Sequence, residues 1–188
     1  MAMQSPSSSS SSISYDFSFD VFVSFRGADT RSGFTGNLYE ALCDKGVRTF
    51  IDDKELQRGD EITPSLLKSS ENSRIAIVVF SKDYASSSFC LDELVHIINY
   101  FKENSRLVLP VFYDVEPSEV RHHNNRYGEA LTEFEERFQN NKENMERLQK
   151  WKIDLNQASN LSGYHFKYAS SFHSYFAFLC ILFVFNFN

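Results

Sequence analysis

Cysteine is scarce in this chain of 188 residues, and its three copies lie far apart. Cys43, Cys90 and Cys180 show none of the paired spacings of zinc sites or disulfide frameworks, so we expect a reduced, intracellular environment. An excess of basic residues is also missing. The chain has 19 Lys and Arg against 25 Asp and Glu, for a net charge of −6. Nucleic-acid binding needs a basic face, so we expect no nucleic-acid partner.

The N-terminal segment lacks signals for export or lipidation. Its first basic residue is Arg26, whereas a secretory signal places basic residues before its apolar run. Position 2 is Ala2 rather than the Gly that N-myristoylation needs. Residues 5–12 read SPSSSSSS, so we expect residues 1–14 to form a disordered leader. These observations predict a cytoplasmic or nucleo-cytoplasmic protein.

Strand-like and helix-like segments alternate from about residue 20. Short apolar or β-branched runs predict strands at 20–25, 47–51, 74–80, 107–113 and 163–166. Apolar residues at helical spacing predict helices over 33–45, 91–103, 119–139 and 143–159, with Pro64 at the start of another. This alternation predicts a single α/β domain with a doubly wound parallel sheet. Ligands of such sheets bind at the carboxyl ends of the strands.

Two segments at that edge carry candidate chemistry. Glu93, in CLDEL, follows the third strand, and we expect it in the first turn of a helix. A carboxylate there either acts on a ligand or is simply favoured by the helix dipole. Its neighbour Asp92 points about 100° away and is expected to be a solvated acid. Arg26 and Gly27 follow the first strand, where Arg can clamp a phosphate and Gly lets a ligand approach the backbone.

Conventional nucleotide and metal motifs are missing. The chain has neither a G-x-G-x-x-G fingerprint nor a Walker lysine motif. The side chains of His122 and His123 diverge and no third ligand is spaced nearby, so we expect no metal. Cys90 has no adjacent His, which favours a small buried thiol over a nucleophile. The charged loop 52–63 fits an ordinary turn as well as a lid.

Five segments in this order and spacing resemble the plant Toll/interleukin-1 receptor (TIR) domain of immune receptors. They are FDVFVSFRGADTR (19–31), FTGNLYEALCDKGVRTFIDD (34–53), GDEITPSL (59–66), IAIVVFSKDYASSSFCLDEL (75–94) and VLPVFYDVEPSEVR (108–121). The resemblance covers residues 15–168. It implies a flavodoxin-like sheet of five parallel strands with helices on both faces, which agrees with the pattern above.

The resemblance also implies an activity. Many plant TIR domains hydrolyse NAD⁺, releasing nicotinamide and ADP-ribose or cyclic ADP-ribose signals in immune signalling, with no cofactor beyond this substrate. The family's catalytic Glu falls on Glu93 of FCLDEL, and Arg26, Gly27, Phe89 and Cys90 would contact the substrate. A carboxylate suits this chemistry because it stabilises an oxocarbenium-like transition state.

By the same resemblance, two further segments would govern access and assembly. The charged loop 52–63 would gate the NAD⁺ pocket and carry assembly contacts. The residues concerned are Asp52, Asp53, Lys54, Arg58, Gly59 and, directly after the loop, Pro64. The first helix of the family carries a Ser-His pair for self-association, which reads Gly36-Asn37 here. The implied partners are TIR domains, either of a second copy or of immune receptors.

The chain departs from the family at three places. Phe89 replaces a Trp, Gly36-Asn37 replaces the Ser-His pair, and residues 169–188 form an uncharged apolar tail in place of the last helix. The tail is interpreted as aberrant translated sequence, as a poor substitute for that helix, or as a marginal membrane anchor over 172–187, and we favour the first. Loss of both association signatures leaves an alternative function open, a non-catalytic adaptor or decoy that binds TIR domains.

Overall fold

The computed structural model describes residues 17–52 and 63–167. Their elements, in chain order, are β1 (Phe19–Phe25), α1 (Gly27–Thr30), α2 (Phe34–Asp44), β2 (Thr49–Ile51), α3 (Pro64–Glu71), β3 (Ser73–Phe80), α4 (Ser88–Glu103), β4 (Leu107–Tyr113), α5 (Pro117–His122), α6 (Asn125–Phe138), α7 (Lys142–Ser159) and β5 (Tyr164–Phe166). The leader, Asp53, Lys54, Arg58, Gly59 and the tail lie outside the described residues, and their predictions stay predictions.

The five strands form one parallel sheet in the order β2-β1-β3-β4-β5. β1 and β3 lie at its centre, with Val21 opposite Ile75. The two halves of the sheet wind in opposite directions from this pair, so the carboxyl ends of β1 and β3 flank a crevice. The prediction of a doubly wound, flavodoxin-like sheet is confirmed.

The sheet is covered on both faces. Alternate residues of β3, such as Ala76 and Val78, pack with α3 through α7 in one core, whereas Ile77 and Val79 pack with α2 in the other. Two-sided burial explains why β3 is almost continuously apolar. No helix in the described part of the chain is long and apolar enough to cross a bilayer.

The predicted helix over 119–139 is wrong, because the structure divides it in two. α5 ends at His122, His123 adopts a left-handed backbone with φ of 53°, and α6 begins at Asn125. The apolar period continues across the break because both helices pack on the same core, through Val120 and Tyr127. Periodicity alone therefore hides the turn.

Candidate functional site

The candidate site lies where β1, β3 and the start of α4 meet. α4 begins at Ser88, capped by the Ser87 hydroxyl, which accepts from the backbone N–H of Cys90 at 3.3 Å. The helix starts three residues earlier than predicted, so Glu93 is in its second turn. The expected first-turn position, with the helix-dipole interpretation that rested on it, is wrong.

Glu93 faces the sheet and is only 4% exposed. Burial is the largest influence on its titration and raises the pKa of Glu93 to about 8, assisted by the negative charge of Asp52. The hydroxyl of Ser24 acts in the opposite direction, since its hydrogen bond favours the carboxylate. No cation among the described residues offsets this burial, and buried acids of this kind destabilise a fold and cluster at functional sites.

A buried hydroxyl pair lies behind this carboxyl group. The oxygens of Ser24 on β1 and Tyr84 in the 3₁₀ turn (Tyr84–Ser86) are 3.1 Å apart. The Tyr84 hydroxyl also donates to the backbone carbonyl of Cys90 at 3.0 Å. Sequence reasoning missed both residues, because Ser24 is only a polar interruption in the strand DVFVSF.

Cys90 is a free cysteine whose thiol is shielded from solvent. Its side chain is buried and its Sγ donates to the carbonyl of Phe25 at 3.7 Å. Burial, together with the nearby Glu93, raises the pKa of Cys90 to about 12. The thiol is therefore neutral at physiological pH, as expected of a small buried cysteine rather than a nucleophile.

Asp29 is the hub of a polar network that sequence reasoning missed. Its carboxylate pairs with Arg26 and accepts from the Ser81 hydroxyl at 2.5 Å and from the backbone N–H of Asp83 at 3.2 Å. Asp83 pairs in turn with Arg126 of α6. The network joins the carboxyl ends of β1 and β3, and it holds the Arg26 guanidinium at the edge where a phosphate clamp was predicted.

The side chain of Arg31, the residue that follows α1, lies beside Gly27. A β-carbon on Gly27 would lie 3.2 Å from Nε of Arg31, so the close approach there is made by a side chain of the chain itself. Arg31 lies over the ring of Phe25 and donates to the backbone carbonyl of Asp52 at 2.6 Å. This contact fixes the point at which the charged loop leaves β2.

A cavity of about 170 Å³ opens between the end of β2, α3 and α4. Its lining combines aromatic rings, three hydroxyls and one carboxylate, from Phe50, Asp52, Thr63, Ser65, Leu66, Ser69 and Phe89. Pro64 begins α3 at its rim, with the Thr63 hydroxyl accepting from Leu66 N–H at 3.4 Å. Glu93 is not among the lining residues, but Phe89, one turn before it on α4, is, and the charge of Asp52 in the lining acts on the Glu93 carboxyl.

Comparison with known proteins identifies the domain. Residues 18–175 match the TIR domain family. The chain belongs to the TIR domain family. It is 49% identical over 154 residues to TMV resistance protein N of Nicotiana glutinosa, a match that covers 82% of this chain and 13% of that protein. It is 47% identical over 161 residues to disease resistance protein RPV1 of Vitis rotundifolia, covering 86% of this chain and 11% of that protein.

A solved structure shares the fold. The TIR domains of the activated Roq1 resistosome superpose with a TM-score of 0.80 at 42% identity, covering 89% of this chain and 99% of that one. The predicted family is confirmed. Since this chain spans about an eighth of the length of its resistance-protein relatives, it matches one domain of each.

The TIR domain places the predicted self-association pair on α2. Gly36 is half-buried, and a β-carbon there would lie 2.4 Å from the backbone carbonyl oxygen of Arg31. A serine at this position would require the segment before α2 to shift. Asn37 is exposed.

Asp92 does not behave as the solvated acid that was predicted. It points away from Glu93, as expected, but α7 covers it: its carboxylate pairs with Arg147 and accepts from the indole N–H of Trp151 at 2.8 Å. The prediction is wrong because those partners lie more than fifty residues along the chain. Asp92 joins α4 to α7.

The two adjacent histidines occupy unrelated environments. His122 is exposed, and a ring nitrogen of His123 lies 3.1 Å from the carbonyl oxygen of Lys152. Among the residues that the structure describes, no group of three His, Cys, Asp or Glu side chains could hold a metal ion.

Proposed function

We propose that this TIR domain hydrolyses NAD⁺ at the nicotinamide–ribose bond, with Glu93 as the catalytic carboxylate. One observation carries the proposal: within residues 17–52 and 63–167, Glu93 is buried with no cation partner, and it lies one helical turn after Phe89, which lines a cavity. Sheets of this topology bind ligands at the carboxyl ends of their strands. Buried ionisable groups with shifted pKa values cluster at functional sites. Membership of the TIR family supports this choice of substrate.

The chemistry needs an anion and little else. When the glycosidic bond breaks, its electron pair leaves with the pyridinium nitrogen, so nicotinamide departs neutral and no acid has to protonate it. Positive charge then develops on the ribose, and a nearby carboxylate stabilises it. Water adds to the anomeric carbon and loses a proton, which gives ADP-ribose; attack by a second nucleophile of the substrate gives a cyclic product.

The raised pKa of Glu93 supports a site that binds a cationic substrate. With a pKa of about 8, about one tenth of the free enzyme carries the ionised carboxylate at pH 7. A bound pyridinium ring a few ångströms away would favour ionisation. The substrate would thus generate the form of Glu93 that its own cleavage requires.

The surroundings of Glu93 offer complementary contacts for the rest of the substrate. Phe89 and Phe50 present aromatic rings to the cavity, which suits a flat heterocycle, and the hydroxyls of Thr63 and Ser65 suit a ribose. Arg26, held by Asp29, is the cation available for a phosphate. Asp52 and Thr63, at the two ends of the charged loop, bound the cavity.

The relatives suggest the biological setting. Because the named relatives are plant resistance proteins and one solved neighbour is a TIR assembly, we propose that this domain acts in cytoplasmic immune signalling and associates with TIR domains of its own kind or of receptors.

A second candidate function is that of a non-catalytic adaptor or decoy. The observation that favours it is the packing at Gly36, where the approach of Arg31 leaves no room for a serine beside the exposed Asn37. This surface would then pair with a receptor TIR domain rather than with a second copy of the chain.

Nicotinamide release from NAD⁺ by the purified full-length chain, measured at high protein concentration, tests the proposal. We expect turnover that falls at least about 100-fold in Glu93→Ala, since the developing charge would lose its stabilising anion. The matched control is Glu103→Ala, which removes an exposed acid at the end of the same helix. Folded wild-type protein without turnover, but with co-purification of a receptor TIR domain, would move the assignment to the adaptor.

A further inference from the structure

The two oxygens of the Asp29 carboxylate serve different partners. Oδ1 pairs with Nη1 of Arg26, three residues earlier in the chain. Oδ2 accepts from the Ser81 hydroxyl at 2.5 Å and from the backbone N–H of Asp83 at 3.2 Å, both in the segment after β3. The Asp29 side chain is only 13% exposed, so little water competes for these bonds. The segment after β3 therefore fixes the orientation of Asp29 and leaves one oxygen for Arg26.

The segment that bonds to Asp29 is itself anchored to the first turn of α6. The buried Tyr127 hydroxyl donates to the backbone carbonyl of Ser81 at 2.8 Å. On the surface, Arg126 pairs with the Asp83 carboxylate. Residues 81–83 are thus held by α6 on one side and by Asp29 on the other, so Asp29 rests on a backbone that two elements fix in place.

A second acid–arginine pair, at the opposite end of β1, has a different geometry. Arg48 donates to both oxygens of Asp20, from Nε at 3.1 Å and from Nη2 at 3.0 Å. This contact matches one edge of the guanidinium to the whole carboxylate. The contact of Arg26 with Asp29 joins one nitrogen to one oxygen, so it leaves most of the five N–H donors of Arg26 outside the pair.

Those remaining donors of Arg26 lie at the edge where sheets of this topology bind ligands. Arg26 directly follows β1, and its side chain is 28% exposed. Among the residues that the structure describes, Asp29 is the only side chain that accepts from this guanidinium. Phosphate oxygens match the planar fork of an arginine through two parallel hydrogen bonds. A phosphate can therefore bind to Arg26 without displacing Asp29.

We propose that Asp29 is a positioning residue that holds the Arg26 guanidinium by one oxygen, so that its open edge binds a phosphate group of the substrate. An arginine that is already ordered loses less conformational entropy on binding than a freely rotating one. The negative charge of Asp29 is offset by Arg26 and shared with two further donors, so the gain from ordering exceeds the repulsion of the phosphate. The inference rests on the proposed function for the substrate that carries this phosphate.

Calorimetric titration of the full-length chain with ADP-ribose tests this role, since ADP-ribose carries the phosphates of NAD⁺ without the nicotinamide. We expect Arg26→Ala to weaken binding at least about tenfold, because a charged hydrogen-bond donor is lost. Asp29→Asn has a single acceptor oxygen, which cannot serve both sides of the network. It should weaken binding about fivefold, which is the cost of ordering an arginine that is no longer held. Tighter binding by Asp29→Asn would overturn the proposal, since the carboxylate would then act as a repulsive charge.

A double-mutant cycle separates positioning from a general structural role. If Asp29 acts through Arg26, Asp29→Asn should change the dissociation constant by less than about twofold in the Arg26→Ala background. An equal loss in the two backgrounds would show that Asp29 affects the site by another route, and it would refute the proposal.

The matched control is Asp20→Asn, which removes the acid of the pair at the other end of β1. It should leave the dissociation constant of ADP-ribose unchanged. Ser81→Ala covers the case in which Asp29→Asn does not fold, because it removes one donor to Asp29 and keeps the Asp83 N–H. This variant should weaken binding about two- to threefold, and only where Arg26 is present. Unchanged binding in Ser81→Ala would then overturn the proposal.

Turnover of NAD⁺ provides an independent readout. Asp29→Asn should raise KM while kcat stays within about twofold of wild type, because the phosphate contact is the same in the ground state and the transition state. A lower kcat with an unchanged KM would contradict the positioning role. Wild-type protein without turnover would end the proposed hydrolase and leave the ADP-ribose titrations to judge Asp29. Turnover by wild-type protein that does not bind ADP-ribose would refute the phosphate site alone.

Discussion

Two carboxylates one residue apart on α4 have opposite surroundings. Asp92 faces α7, where Arg147 and Trp151 satisfy it, whereas Glu93 faces the sheet among hydroxyls and a further acid. The first arrangement stabilises an ionised group with a cation and a donor. The second raises the pKa of Glu93, so that ionisation of this carboxyl group lowers the stability of the fold. Adjacent residues of one chemical type thus divide into a structural group and a proposed catalytic group.

We expect Glu93→Gln to have the largest effect, an increase in the free energy of unfolding. The folded pKa of about 8 exceeds the ordinary value of 4.5, so the folded state binds the extra proton between these values. Wild-type stability therefore declines through that window as pH rises, and glutamine removes the decline. We expect the variant to gain about 2–5 kcal/mol at pH 9 and almost nothing at pH 4.

Chemical denaturation of wild type and variant over pH 4–9 measures this gain. The matched control is Glu103→Gln, an exposed acid of the same helix, which should give parallel curves. An equal gain at pH 4 and pH 9 would show that the effect comes from packing rather than from the buried charge.

Asp92→Ala should have the second-largest effect, with the opposite sign. Arg147 would lose the Asp92 carboxylate and the indole N–H of the buried Trp151 its acceptor, so we expect a loss of about 2 kcal/mol. Asp92→Asn keeps an acceptor for the indole and should lose about half as much, since the side-chain pair is partly exposed. Thermal or urea unfolding measures both; a smaller loss in Asp92→Ala than in Asp92→Asn would contradict this account of the α4–α7 contact.

Sequence reasoning succeeded where the pattern is local. The apolar runs located the five strands, whereas the catalytic role that the family resemblance implies for Glu93 stays a prediction. It failed where long-range packing decides. Asp92 resembles any surface acid until α7 is folded against it, and Asp29 finds Ser81 only because β1 and β3 are neighbours in the sheet.

The most direct measurement compares nicotinamide release from NAD⁺ by Glu93→Gln and Asp92→Asn, at pH 8 and at equal concentrations of folded protein. The account predicts that Glu93→Gln loses nearly all turnover while being the more stable protein, and that Asp92→Asn keeps turnover within a few-fold of wild type while being the less stable. Retained turnover in Glu93→Gln, or an equal loss in both variants, would contradict the division of roles between these two carboxylates.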